Sequence, residues 1–258
     1  MAKLPVLQKD RIISIDHQPL FNDIRFGVLI LVNKPYGWTS FDVVNKIRSS
    51  LKYGPKIKKI KVGHAGTLDP LAEGLLLVCI GKYTKLIDGL TGKNKSYLAS
   101  IKLGAVTKTY DRESEEENIK DISHISRSEL EECLLSFKGL IEQFPPVYSA
   151  IKVNGVSAHR LARRGKEVVL KSRKVEISKL DLLKFELPFI EASITCSKGT
   201  YIRSLAHDVG QYLGIGAYLY DLNRISVGTY NSSQALSMEE AINWINQLPE
   251  DQLQLGNH

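Results

Sequence analysis

The chain of 258 residues contains no long apolar run. None of its apolar stretches approaches the ~20 residues that a membrane-spanning helix needs. Its N-terminus, MAKLPVLQKDRIISIDHQPL, has scattered charges and no apolar h-region, so no signal peptide is expected. Cysteine is scarce. Cys79, Cys133 and Cys196 lie far apart and cannot all pair within one chain, and no C-x-x-C spacing suggests a metal site. A reducing cytoplasm is the simplest expectation. Internal repeats and low-complexity linkers are also lacking, which favours one domain. Lys and Arg are missing from Ser232 onward, where four acidic residues stand, so the net charge of +7 leaves about +11 on the rest. Such an excess favours a polyanionic partner, because each neutralised phosphate releases counterions. On charge alone a solvated, lysine-rich surface is the simpler reading.

What is present reads as α+β around a mixed sheet, since strands and helices mix without a regular βαβ rhythm. Residues before Phe26 read as an irregular, loosely packed extension. Val28 to Val32 is a buried strand ending in the turn Asn33-Lys34-Pro35-Tyr36-Gly37. Thr39 or Ser40 caps a helix with Phe41, Val44, Ile47 and Leu51 on one face. A basic stretch follows, with Lys52, Lys56, Lys58, Lys59 and Lys61. Leu75 to Ile80 and Tyr97 to Leu103 are further strands. Ser126 with Glu129 opens a helix that stops at Gly139. Val168 to Val175, Ile177 to Phe185, Ala192 to Cys196 and Tyr218 to Val227 read as strands, and Tyr201 to Leu213 as a helix. Ser237 with Glu240 caps a last amphipathic helix through Leu248.

The stretch from Gly63 to Gly74 carries the chemistry. It reads Gly-His-Ala-Gly-Thr-Leu-Asp-Pro-Leu-Ala-Glu-Gly, with Asp69 before Pro70. Glycine permits backbone conformations that a side chain forbids, and Pro70 drives Asp69 toward extended geometry. A loop so constrained holds one carboxylate in one place, although an Asp-Pro pair alone is usually a plain turn.

The whole stretch resembles the signature of the TruB family of pseudouridine synthases, Gly-His-x-Gly-x-Leu-Asp-Pro with a glycine four residues on. Four more segments resemble the family in the right order. They are Leu31-Val32-Asn33-Lys34-Pro35 with Gly37, Thr39 and Ser40; Lys95-Ser96-Tyr97; Phe144 to Gly155, containing Pro145-Pro146-Val147-Tyr148-Ser149-Ala150; and Cys196 to Leu205, containing Lys198-Gly199-Thr200-Tyr201-Ile202-Arg203. Leu222-x-Arg224 also fits. The resemblance covers roughly residues 27 to 230. It departs at Glu73, where a small polar residue is expected, and in the acidic run Glu113 to Glu117 after Thr107, Thr109 and Asp111.

The resemblance implies a pseudouridine synthase fold, with a mixed, mostly antiparallel central sheet flanked by helices and RNA-binding loops. It implies an extension over 1–25, a catalytic domain over 26–231 with an RNA-gripping insertion at about 139–174, and a short acidic tail over 232–258. About 28 residues follow Tyr230, too few for the PUA domain that many relatives append. Asp69 is implied as the catalytic carboxylate, Arg203 as its cationic partner and Tyr97 as the residue against the uracil. His64, Lys34, Tyr201 and Leu222 are implied around the substrate. Arg160, Arg163 and Arg164, with Lys166, Lys171, Arg173 and Lys174 beyond them, would grip the RNA backbone against Glu167 alone.

The implied reaction moves the glycosidic bond of uridine 55, in the T loop of transfer RNA, from N1 to C5 of the same base. It needs no cofactor or metal, no obligate protein partner and no membrane, and a monomer suffices. The target base must leave its stack to reach Asp69. Three other readings share some of these features: a guide-RNA-dependent synthase acting on ribosomal RNA, a non-enzymatic RNA-binding or RNA-folding protein, and a hydrolase pairing Asp69 with a second acid. The last finds no second acid in a comparably constrained motif.

Overall fold

The strand Val28–Lys34 is apolar on both faces, and it organises everything around it. Val28, Ile30 and Val32 point to one side and Leu29 and Leu31 to the other, as the two-residue period of a strand requires. Its antiparallel neighbour, Ala72–Ile80, repeats the pattern, with Leu76, Val78 and Ile80 on the first face and Leu75, Leu77 and Cys79 on the second. The register runs from Val28 opposite Ile80 to Lys34 opposite Gly74.

The computed structural model describes residues 4–149, 151–153, 155–165 and 168–250. They form two compact units, one drawn from residues 4–95 and 223–250 and the other from Ser96–Leu222. In the first unit, the helices Ser40–Tyr53 and Met238–Asn246 cover one face of the paired strands through Val43, Val44, Ile47, Leu51, Ala241, Trp244 and Ile245. Tyr83 and Leu90 cover the other. Each of these helices starts where its sequence provides a reciprocal cap, Thr39 with Asp42 and Ser237 with Glu240. Phe41, expected on the buried face of the first helix, is 59% exposed; it sits one position off the stripe set by Val44, Ile47 and Leu51.

From residue 4 onward the segment before Phe26 is packed and not loose. Ile12–Ile13 adds a parallel strand to Val28–Lys34, Ile13 and Ile24 are buried in the same core, and the Trp244 indole donates to the Pro19 carbonyl at 3.1 Å. The polar residues between these anchors hide the signal, because so few positions carry the contact.

In the second unit the strands lie in the order Lys95–Leu103, Phe189–Cys196, Arg173–Glu186, Gly139–Gln143. The last three pair antiparallel. Two separate strands are expected over 168–185, but one 14-residue strand, Arg173–Glu186, is found, with register shifts at Ile177/Lys179 and Leu182/Lys184. Each shift moves side chains to the other face, so the apolar pattern breaks while the ladder continues. The helices Arg127–Ser136, capped by Ser126 and Glu129, and Ile202–Tyr212 complete this unit. Strand and helix are therefore mixed and the pairing is mainly antiparallel.

Trp244 is fully buried in the first unit. Trp244→Ala should lower unfolding stability by about 3–5 kcal/mol in urea denaturation, the cost of an aromatic cavity.

Candidate active site

Asp69 lies in the loop between the short strand Val62–His64 and the strand Ala72–Ile80. Val62–His64 pairs antiparallel with the far end of Ala72–Ile80, so the chain must turn back within the intervening residues. Gly66 and Gly74 take positive φ, at 98° and 101°. At Gly74 a side chain is also excluded by space, since a Cβ would come within 2.4 Å of the Arg224 carbonyl oxygen.

Glycines permit this path but do not hold it. Three buried side chains do. The Ser40 hydroxyl accepts from the Leu68 amide at 2.8 Å and donates to the Leu68 carbonyl at 3.0 Å, satisfying both backbone groups next to Asp69. The Lys34 ammonium donates to the carbonyls of Trp38 (2.6 Å), Pro35 (2.9 Å) and Pro70 (3.4 Å). Pro70 is the residue after Asp69, and its carbonyl also accepts from the Gly37 amide at 2.9 Å. The Arg224 guanidinium donates to the carbonyls of Leu75 (2.7 Å), Gly66 (3.1 Å) and Thr67 (3.4 Å). The carboxylate-bearing residue is thus fixed from both sides, while its own side chain stays half-buried.

Lys34, expected to touch RNA, has no exposed surface. It sits on the inner register of its strand with its charge committed to carbonyls, so it braces the loop. Burial lowers its pKa to about 8, against the pull of Glu73 and Asp69, which raise it. His64 is half-buried, and burial, then Arg224, pushes its pKa down. Its Nδ1 is buried with no hydrogen-bond partner among the described residues.

The second unit holds the other expected residues. Arg203, at the start of the helix Ile202–Tyr212, is 6% exposed. It donates to the carbonyls of Thr109 and Tyr148, both at 3.0 Å, and lies 3.6 Å from the Asp111 carboxylate. It therefore gathers the Thr-x-Thr-x-Asp segment and the Pro-Pro-x-Tyr-Ser segment onto one guanidinium. Tyr97 is 8% exposed on the strand Lys95–Leu103. Tyr201 exchanges two backbone bonds with the Gln143 amide, at 2.8 and 3.1 Å, and its ring lies 4.8 Å from the Arg173 guanidinium. Leu222 is half-buried on Ala217–Val227.

Arg160 is exposed on the short helix Ala158–Ala162, which follows a two-stranded turn of Lys152–Val153 and Val156–Ser157. Arg163 and Arg164 are exposed just after it, and Arg163 pairs with Glu113 at 3.0 Å. Ala150, Asn154, Lys166 and Glu167 of the expected gripping segment lie outside the described residues.

Arg224 was legible only as part of a motif, and Ser40 only as a motif residue and candidate helix cap; neither was expected to hold the Asp69 loop. Tyr110 and His207 carried no signal at all. Their rings stack at 3.9 Å and 10°, with Tyr110 at a positive φ of 60°, beside the Thr109 and Asp111 that meet Arg203. Among the described residues no three of His, Cys, Asp and Glu come together so as to hold a metal ion, and no helix is long and apolar enough to cross a membrane.

The comparisons with known proteins supply the class, that of the pseudouridylate synthases. Residues 53–202 match the model of the TruB family pseudouridylate synthase N-terminal domain, and residues 203–255 match that of the tRNA pseudouridylate synthase B C-terminal domain. The chain belongs to the TruB family. It is 48% identical over 225 residues to tRNA pseudouridine synthase B of Parabacteroides distasonis, covering 87% of this chain and 96% of that one. To the protein of the same name from Clostridium kluyveri it is 45% identical, covering 82% of this chain and 71% of that one. Among solved structures it is similar to a Cbf5-Nop10-Gar1 complex, with a TM-score of 0.66 and 26% identity over 92% of this chain. It spans 59% of that chain's length.

Two outcomes follow from the braces. Ser40→Ala should cost about 1–3 kcal/mol, because two buried backbone groups lose their partner, and should abolish hydrogen-exchange protection of the Leu68 amide. For Lys34, the folded state titrates at about 8 and the unfolded chain near 10.5, so between those values the unfolded state holds more protons. Stability should then rise with pH through this window, by up to about 1.4 kcal/mol per pH unit, relative to Lys34→Met. Urea denaturation of both proteins from pH 7.5 to 10 measures it, and a constant difference would contradict the lowered pKa of Lys34.

Proposed function

We propose that this chain converts uridine 55 in the T loop of transfer RNA to pseudouridine, as a monomer that requires no protein partner. The observation that carries the reading is the Asp69 loop, fixed on both sides by Ser40, Lys34 and Arg224, in a chain of the TruB family. Relatives at 45–48% identity, named tRNA pseudouridine synthase B, favour transfer RNA over the guide-directed alternative; identity to the Cbf5-Nop10-Gar1 structure is 26%.

The reaction breaks the N1–C1′ bond, turns the uracil and forms C5–C1′. A proton leaves C5 and one is gained at N1, so there is no redox change and no group is lost. Asp69 is the catalytic carboxylate. An anionic carboxylate serves such a reaction as nucleophile or base where the sugar–base bond breaks. Tyr97 stacks on the uracil, Arg203 pairs with the aspartate, and Tyr201 and Leu222 wall the base. His64 holds the rearranged RNA at the mouth of the site. Residues 26–231 act as the catalytic domain, and Arg160, Arg163 and Arg164 grip the RNA backbone. Extrusion of the uridine from its loop precedes chemistry.

The test is tritium release from unmodified transfer RNA labelled at uracil C5, with no guide RNA added. Wild type should release one tritium per transfer RNA and Asp69→Asn should release none. Absence of release from the wild type, with pseudouridine undetected at position 55, would refute the assignment.

A further inference from the structure

The basic stretch between the first long helix and the Asp69 loop has no part in the site described above. Residues 46–61 contain seven Lys or Arg and no acidic residue: Lys46, Arg48, Lys52, Lys56, Lys58, Lys59 and Lys61. All seven are exposed. Among the described residues the only ion pair they form is Lys56 with Glu250, at 2.8 Å and with both side chains 62% exposed. Such a pair contributes about 0–1 kcal/mol and is screened by salt.

The stretch is anchored as well as charged. Pro55 and Ile57 are buried, Ile60 packs against the core, and the Ile57 amide donates to the Leu51 carbonyl at 2.8 Å. Alternating inward apolar residues leave the lysines outward on a fixed backbone. Lys56 and Lys59 take positive φ, at 59° and 55°. For a residue with a side chain this conformation costs about 1 kcal/mol, which Gly or Asn would largely avoid. The two turn positions therefore keep a positive charge at a backbone cost. Tyr53 is 72% exposed among these charges, with the Lys52 ammonium 4.7 Å from its ring centroid. Phosphate-binding cations around an exposed aromatic ring match what an RNA strand offers, charge along the backbone and the face of an unpaired base.

We propose that residues 46–61 form a second RNA-binding ledge, in which Lys52, Lys58, Lys59 and Lys61 hold phosphates of the substrate RNA and Tyr53 stacks on an unpaired base. The proposal rests on the RNA substrate class proposed above and adds a surface to it. The ledge raises affinity without touching the reacting base. Its contribution lies in KM and in salt dependence, because every phosphate contact releases counterions.

The experiment compares wild type, the triple variant Lys58→Gln, Lys59→Asn, Lys61→Gln, and Tyr53→Ala. Asn suits the left-handed backbone at 59, and circular dichroism melts verify that each variant folds. Binding of unmodified transfer RNA is measured by fluorescence anisotropy from 50 to 300 mM KCl, alongside steady-state pseudouridine formation. The triple variant should bind about 5- to 20-fold more weakly at the lowest salt, and its log Kd against log salt slope should fall by about 2. Tyr53→Ala should weaken binding about 5-fold with the slope unchanged. Both should keep the wild-type kcat at saturating RNA. Unchanged Kd and slope in the folded triple variant would overturn the proposal, as would a lower kcat with unchanged Kd, which would make the segment a support for the Asp69 loop. A wild type that binds RNA through the ledge but forms no pseudouridine would refute the catalytic assignment and leave the ledge standing.

Discussion

Two buried cations, Lys34 and Arg224, hold the Asp69 loop by its carbonyl oxygens, and the candidate chemistry depends on that arrangement. Carbonyls turned inward without partners would each cost a desolvation penalty, and a glycine-rich loop has little conformational bias of its own. The cations satisfy both needs. Their burial is itself opposed by desolvation, seen in the lowered pKa of Lys34, and is offset by three carbonyl acceptors on each head group. Ser40 completes the frame from the helix Ser40–Tyr53. Mobility of the carboxylate-bearing residue is thereby suppressed in the backbone.

A similar economy operates in the second unit. Arg203 is the common donor for two segments distant in sequence, and Asp111 opposes its charge. Asp111 is in turn held by the Thr109 hydroxyl and the Glu113 amide. A buried guanidinium with fewer partners would be costly, whereas here its neighbours fix its direction. The Tyr110–His207 stack lies against the same loop and offsets the unfavourable backbone of Tyr110.

Much of this was legible beforehand, for local reasons. The reciprocal caps of Ser126 with Glu129 and Ser237 with Glu240 were readable, and the first helix start was narrowed to Thr39 or Ser40, because a cap involves residues three apart. The doubly apolar strands Val28–Lys34 and Ala72–Ile80 announced themselves by composition. Short or interrupted strands did not. Val62–His64 has three residues, two of them Gly and His, and is a strand only because Ala72–Ile80 offers it an edge. Gly139–Gln143 likewise owes its state to Arg173–Glu186. Asp69, His64, Tyr97 and Arg203 were named from motif text, but that text could not reveal which side chains brace the loop.

The sequence by itself determined the family, the identity of the candidate carboxylate and the local starts and faces of the main helices. These follow from contiguous residues, and contiguity is what a sequence displays. Tertiary structure alone decided that Lys34 is buried against three carbonyls, that Arg224 reaches back some 150 residues to the Asp69 loop, and that the N-terminal segment belongs to the core. A charged side chain reads the same in sequence whether it faces water or a ring of carbonyls. Only the fold supplies the carbonyls.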